Sequence, residues 1–316
     1  MQKDKSVKIY VAGHRGVAGK ACTELLRKEG YLNILTRTHK ELDLTCQSAV
    51  FDFFEREKPD WVILCAARIG GIADKTKFPA EFIYDNLMIE TNVIEAAHRT
   101  SVKKLLFMGS SYAYPLTEKP VKEEELFAGP HGKLDEPYII AKIAGVKLCE
   151  YFWKQYGDNF FSVMPCCFFG PGDSFDLTRA TVVPSMLRRM VQAKEKKEPS
   201  FEIWGTGTPL REFLGSKDIA RACLFLLENY PGGGEYFNLG NGGQEISIAQ
   251  IAQVIKKVIQ YDGELIFDAS KPDGMKRKVM DSSKLMELGW SPKESFLENV
   301  EELYEYFKSV QARGEV

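Results

Sequence analysis

Gly13-His-Arg-Gly-Val-Ala-Gly19 does more than any other stretch to limit the folds open to this chain of 316 residues. The short apolar strand Val7-Lys-Ile-Tyr-Val-Ala12 precedes it, and an amphipathic helix through Leu25, Leu26 and Lys28 follows. Three glycines at this spacing say little alone, but between a strand and a helix each has a task. Gly13 permits the tight turn, Gly16 lets the main chain approach a pyrophosphate, and Gly19 lets helix and strand pack closely. The N–H groups opening the helix then face phosphates.

Strand and helix keep alternating through the first half. Leu32-Asn-Ile-Leu-Thr-Arg-Thr38 reads as a second strand and Ser48 to Glu57 as a helix. Asp60-Trp-Val-Ile-Leu-Cys-Ala-Ala67 is an apolar strand that must be buried on both faces. A long helix from Pro79 to Arg99, a strand from Lys103 to Met108, a helix through Tyr138 and a strand from Phe160 to Met164 complete the series. This order predicts an α/β fold built on a doubly wound parallel Rossmann sheet. Beyond Pro165 the texture changes. Gly, Pro and Asp cluster between Gly170 and Asp173, and a helix carries Arg188 and Arg189. Trp204 to Phe213 reads as a loop entering a strand, and Lys271 to Lys278 as a basic loop. Residues 1–165 are therefore expected to form the dinucleotide-binding Rossmann domain, which also receives 214–240. Residues 166–213 and 241–316 are expected to form a smaller C-terminal α/β substrate-binding domain.

With 42 Lys and Arg against 44 Asp and Glu, the charge balance gives no support for a nucleic-acid partner. No run is apolar and long enough to span a membrane, and no leader is evident before the first strand. The seven cysteines form no Cys-x-x-Cys pair and the four histidines are scattered, so no metal site is expected. The cysteines read as reduced, mostly buried residues of a cytoplasmic protein.

The chemistry centres on Glu136-Pro-Tyr-Ile-Ile-Ala-Lys-Ile-Ala-Gly145. Tyr138 and Lys142 are four residues apart and share one helix face. A neighbouring ammonium favours the phenolate and is expected to lower the Tyr138 pKa toward neutrality, making a proton donor for a carbonyl under reduction. The end of the second strand normally faces the adenosine ribose, where an acid would select NAD. Here it carries Thr36, Arg37, Thr38 and His39, with Arg15 in the glycine loop, which suits a 2′-phosphate and hence NADPH. The alternative makes Arg37 and His39 solvated surface residues. Asp43 is placed to reach the adenine, and Ala66 lines the cofactor at the end of the third strand. Arg68 follows at that strand's carboxyl end, where α/β sheets bind ligands, and Asn86 reads as an inward-facing polar residue; both are substrate-binding candidates.

Ser110, Tyr138 and Lys142 follow the glycine loop in the order of an extended short-chain dehydrogenase/reductase. Longer segments go further: Ala12-Gly-His-Arg-Gly16, Phe82-Ile-Tyr-Asp-Asn-Leu-Met-Ile-Glu90, Gly205-Thr-Gly-Thr-Pro-Leu-Arg-Glu-Phe213 and Phe267-Asp-Ala-Ser-Lys-Pro-Asp-Gly274. Over nearly its whole length the chain resembles the GDP-L-fucose synthase family, which epimerises C3 and C5 of GDP-4-keto-6-deoxymannose and reduces C4 with NADPH. The resemblance implies that Tyr138 protonates the developing alkoxide and that Ser110 hydrogen-bonds the oxygen, with Ser111 as a neighbouring candidate. Lys142 would tune Tyr138 and hold the nicotinamide ribose. Arg189, Trp204, Arg211 and Lys271 match positions that hold the nucleotide-sugar. Their chemistry agrees, since cations answer a diphosphate and an indole N–H bonds an oxygen. The alternative for Trp204 is a core aromatic. Homodimerisation through the helices Pro79–Arg99 and Pro137–Gly157 is also implied.

The family's epimerase pair is a cysteine two residues past the catalytic serine and a histidine before the Val-x-Pro of the arginine helix. Tyr112 and Thr181 stand there instead. Threonine is no base near neutral pH, and tyrosine becomes one only with an unusually lowered pKa. Cys166-Cys-Phe-Phe169 replaces the family's Thr-Asn-Leu-Tyr, so Cys167 stands where an asparagine helps to read the sugar. His39 replaces an arginine, which softens the preference for NADPH over NADH. The expected function is thus NADPH-dependent C4 ketoreduction of a GDP-linked 4-keto sugar, a 6-deoxyhexose or a heptose, with epimerisation lost. One alternative is a bifunctional fucose synthase whose acid/base residues have moved to Tyr112, Cys166 or Cys167. Another is a non-catalytic NADPH-binding sensor. A dehydratase would need an acid/base run beside the serine, which Ser111-Tyr112-Ala113 lacks.

Overall fold

The computed structural model describes residues 4–129 and 132–315; residues 1–3, 130–131 and 316, which fall inside the domain ranges read from the sequence, lie outside it. The first half alternates as β1 (Lys8–Ala12), α1 (Val17–Lys28), β2 (Asn33–Leu35), α2 (Gln47–Glu57), β3 (Trp61–Leu64), α3 (Ile72–Lys77), α4 (Pro79–Arg99), β4 (Lys104–Met108), α5 (Glu136–Tyr156) and β5 (Phe160–Pro165). The main sheet runs β2-β1-β3-β4-β5-β9, the last strand being Tyr236–Leu239, and every neighbouring pair in it is parallel. Helix α1 packs on α7 (Ser216–Asn229), while α2 and α5 each pack on α4, so the two helix sets sandwich the sheet. Val62, Ile63 and Leu64 of β3 and Leu105, Leu106 and Phe107 of β4 are fully buried, as strands covered on both faces require.

Two strands are shorter than the sequence suggests. β2 has one partner, pairs only from Lys8↔Asn33 to Tyr10↔Leu35, and leaves Leu32 exposed. An edge strand gains no second ladder to extend it. β3 ends at Leu64, after which Cys65 still donates to the Ala12 carbonyl and Ala66 turns against the glycine loop.

The second half adds β6 (Cys167–Phe169), α6 (Val182–Glu195), β7 (Ser200–Trp204), β8 (Leu210–Gly215), α7 (Ser216–Asn229), β9 (Tyr236–Leu239), β10 (Glu245–Ser247), α8 (Ile248–Ile259), β11 (Glu264–Asp268), β12 (Arg277–Lys278), α9 (Ser283–Glu287) and α10 (Phe296–Ala312). β8 is flanked by β10, β12 and β6, and β7 pairs with β11. These elements enclose a separate apolar core that includes Phe175, Leu187, Met190, Ile255, Leu303 and Phe307. From β8 the chain returns through α7 to β9, which extends the main sheet beside β5. The basic run expected as a loop ends instead in β12, where Lys278 pairs with Arg211 of β8.

Gly13 has φ +84°, and a Cβ there would stand 2.7 Å from the Ala66 nitrogen. At Gly19 a Cβ would lie 2.3 Å from the Gly13 carbonyl oxygen, which is main chain and cannot rotate away. Gly19→Ala is therefore expected to cost about 1–3 kcal/mol, the usual range for overpacking, and to lower Tm in a thermal melt. An unchanged Tm would mean that α1 and its loop do not pack this tightly.

Candidate active site

The site lies at the carboxyl ends of the main strands. Gly16 caps α1 in an extended conformation (φ −78°, ψ 169°) and no side chain caps the helix, leaving its leading N–H groups available to an anion. The Gly170–Asp173 turn crosses this cradle, since a Cβ on Gly172 would come within 3.2 Å of the Val17 nitrogen. A close-walled loop with open amides fits a pyrophosphate. Around it the cations are not equivalent. Arg37 donates to Glu57 at 3.0 Å and to the Thr36 carbonyl, and it lies over the Phe53 ring. His39 is largely exposed, 3.8 Å from Asp43, whose carboxylate accepts from the Thr45 N–H and hydroxyl. Arg15 is exposed and pairs with no carboxylate among the described residues. Of the three cations, Arg15 is thus the one with unspent charge.

β4 delivers the chain into Ser110, which opens a 3-10 turn over Ser111–Ala113; its hydroxyl accepts from the Tyr112 N–H at 3.2 Å. Ser111 is buried just behind it. The first turns of α5 bring in Tyr138, hydrogen-bonded to Ser110, and Lys142, which is buried. Lys142 Nζ donates to the Met108 carbonyl at 3.0 Å, stands 3.0 Å from Oε1 of the buried Glu90, and lies 4.6 Å from the centre of the Phe107 ring.

The phenol itself departs from the expectation. Burial pushes the Tyr138 pKa up, and the pull of Lys142 and the Ser110 hydrogen bond does not reverse it. Glu90 adds to the effect of burial, because its charge opposes that of Lys142 at the phenol. A phenol that keeps its proton through neutral pH is the form that gives one away.

A second group of side chains gathers around Tyr112. The Lys278 ammonium lies 3.1 Å from the centre of the Tyr112 ring; it is buried and has no hydrogen-bond partner among the described residues. Burial pushes it down to about 8. Tyr112 is raised, by Cys167 and then by burial, which is the wrong direction for a base. Cys166 is buried, its thiol donates to the Cys167 carbonyl at 3.3 Å, and burial raises its pKa; Cys167 is partly exposed. Arg211 donates to the Leu210 and Met275 carbonyls, and its charge reaches both Tyr112 and Lys278. Thr181 is exposed at the start of α6 and its hydroxyl caps nothing. Arg189 donates to the Glu202 carbonyl beside Phe201. Trp204 is 66% exposed, which excludes a core role, and Lys271 sits 5.8 Å from its ring.

Two expected substrate contacts are engaged elsewhere. Asn86 is fully buried, accepts from the Arg68 N–H and donates to the carbonyls of Arg68 and Phe82. Its amide therefore fixes the loop after β3 and has no group turned to a ligand. Arg68 is held by Asp85 at 2.6 Å and Glu81 at 2.7 Å.

Glu90 and Lys278 are the site residues that sequence reading missed. For Glu90 a signal existed: Phe82, Asn86 and Glu90 fall at four-residue spacing on the buried stripe of α4. For Lys278 none did, because its burial depends on β12 pairing with β8 across a long separation.

A Rossmann sheet carrying a serine, tyrosine and lysine at its carboxyl edge defines a nucleotide-dependent oxidoreductase of the dehydrogenase/reductase class. The chain belongs to the NAD dependent epimerase/dehydratase family, whose sequence profile matches residues 9–240, and within it to the GDP-L-fucose synthases. It is 46% identical over 305 residues to GDP-L-fucose synthase 1 of Arabidopsis thaliana, covering 96% of this chain and 94% of that one. Among solved structures it is similar to a GDP-6-OMe-4-keto-L-xylo-heptose reductase from C. jejuni, with TM-score 0.90, 36% identity and coverage of 98% and 99% of the two chains. A GDP-mannoheptose C4 reductase from Campylobacter jejuni with NADP bound gives TM-score 0.87 at 36% identity, covering 97% of this chain and all of that one.

Proposed function

We propose that this chain is an NADPH-dependent C4 ketoreductase for a GDP-linked 4-keto sugar, a 6-deoxyhexose or a heptose, with little or no epimerase activity. The observation carrying this reading is a contrast: Tyr138 keeps its proton on Ser110 with Lys142 beneath, whereas Tyr112 and Thr181, which stand where the family resemblance puts the epimerase pair, are a raised phenol and an exposed hydroxyl that caps nothing. When bound, NADPH supplies the hydride for the carbonyl carbon. The open amides of α1 and the Arg15 guanidinium hold its phosphates, and Ala66 and Gly13 shape the channel beneath them. Ser110 orients the carbonyl oxygen, Tyr138 gives it a proton, and Lys142 stabilises the phenolate left behind. Arg189, Arg211, Lys271 and Lys278 balance the diphosphate, and Trp204 offers an exposed indole to the nucleotide-sugar. Cys167, partly exposed beside Lys278, borders the sugar.

Lys278 is the observation that favours the bifunctional reading, since an amine held near 8 beside Tyr112 has the basicity to remove a proton next to a ketone. Incubation with GDP-4-keto-6-deoxymannose in deuterated buffer, with and without NADPH, separates the two by NMR. NADPH oxidation without deuterium at C3 or C5 is expected. Deuterium at both carbons would establish the bifunctional enzyme, and no turnover would direct the test to a keto-heptose. Homodimerisation is proposed along α4 and α5, where Tyr84, Ile140, Tyr151 and Tyr156 are exposed. A cytoplasmic location follows from the same biosynthetic reading.

A further inference from the structure

Beneath the catalytic pair lies a charge for which the reduction chemistry described so far has no use. Glu90 is 1% exposed and faces Lys142, itself 2% exposed, at 3.0 Å. The site is built for it. A Cβ on Gly145 would stand 2.8 Å from the Glu90 carboxylate and 2.4 Å from Phe107, so the glycine leaves the room that both occupy. The Gly145 main-chain N–H faces the carboxylate, and Phe107 closes the other side of the ammonium. Burying two charges is expensive, and apolar residues of similar volume would hold α4 against α5 at least as well. Packing alone therefore does not call for an acid here.

We propose that Glu90 is a positioning residue of the reduction: its carboxylate is the counter-charge that keeps Lys142, and by its own field Tyr138, protonated as pH rises. This rests on the reductase reading of the site. The direction follows from the charges. A negative group raises the pKa of every cation and phenol near it, so removing it lets both Lys142 and Tyr138 lose protons earlier. The titratable groups around the pair are few. Tyr138 and Cys149 of α5 feel Glu90, Cys65 after β3 feels Lys142, and Asp135 before α5 acts on Tyr138. Burial holds the Glu90 carboxyl up near 7, so the counter-charge strengthens as pH passes through neutrality, where retention of the other protons begins to matter.

The test compares the wild-type chain with Glu90→Gln, which keeps the shape but not the charge. Two readouts are used: the pH profile of kcat for ketone reduction, and an ultraviolet difference titration of the Tyr138 phenol with Tyr138→Phe as the blank. The alkaline limb of kcat and the phenol titration are both expected to move down by about one pH unit or more in Glu90→Gln. Rates on the acid side should stay within about threefold, because there the wild-type carboxyl is itself protonated. A uniform loss at all pH values with an unmoved limb, or no change at all, would overturn the proposal and leave Glu90 a packing residue. If Glu90→Gln does not fold, Glu90→Asp carries the same test. It withdraws the charge by one methylene, so its limb should fall below wild type, and a wild-type limb would overturn the proposal. The phenol titration needs no substrate, so failure to reduce any GDP-4-keto sugar would count against the reductase reading while Glu90 is still judged.

Discussion

Tyr138→Phe is expected to lower kcat for ketone reduction by about a hundred- to ten-thousandfold, the usual worth of a positioned proton donor, while cofactor affinity stays within a few fold. The phenol is hydrogen-bonded to Ser110 and half-buried at the mouth of the site, whereas the phosphate cradle is made by main-chain amides a whole element away. Phenylalanine keeps the ring and removes the hydroxyl that carries the proton. Stopped-flow reduction and fluorescence titration with NADPH separate the two effects. An unchanged rate would favour the sensor reading, in which the site binds cofactor without doing chemistry. Because burial raises the phenol, the wild-type rate should hold through neutral pH and fall only on the alkaline side, as Tyr138 loses its proton.

The same residue shows where sequence reading reached its limit. The spacing of Tyr138 and Lys142 is local, and a helix converts it into a shared face without further information. The glycine loop, the alternating elements and the buried strands are local in the same sense, and the structure contains them. The electrostatics are not local. How far Lys142 lowers the phenol depends first on the burial of Tyr138 and then on Glu90, which arrives from α4, fifty-two residues earlier in the chain. Asn86 fails for a related reason. Its inward position follows from helix periodicity, but the carbonyls that use up its amide belong partly to Arg68, across the fold. Lys278 is the extreme case. In sequence it is one of several basic residues in a polar run, where solvated charge is the ordinary outcome. Only the parallel pairing of β12 with β8 takes its ammonium out of water.

That burial makes Lys278→Met informative in two directions at once. A lysine pushed from the ordinary 10.5 down to about 8 destabilises the folded chain by on the order of 3 kcal/mol wherever both folded and unfolded states carry the proton. The sign is that of a depressed cation: the cost is present in full below about pH 8 and fades as pH rises toward 10.5, where the unfolded chain also gives up its proton. Methionine removes the charge and keeps much of the volume, so the variant should melt higher than wild type at neutral pH, and the advantage should disappear on the alkaline side. Substrate binding should move the other way. An ammonium with no hydrogen-bond partner among the described residues, beside Arg211 and Tyr112, would answer a diphosphate, and a charge-assisted hydrogen bond of about 1.5–3 kcal/mol corresponds to roughly a ten- to hundredfold rise in Kd for the GDP-sugar. Higher Tm with weaker binding would make Lys278 a residue that is strained in the free protein and satisfied by substrate. Higher Tm with unchanged binding would place the diphosphate elsewhere, on Arg189, Arg211 and Lys271. Loss of C3 or C5 deuteration in the variant, where wild type shows it, would instead identify Lys278 as the base of a retained epimerase.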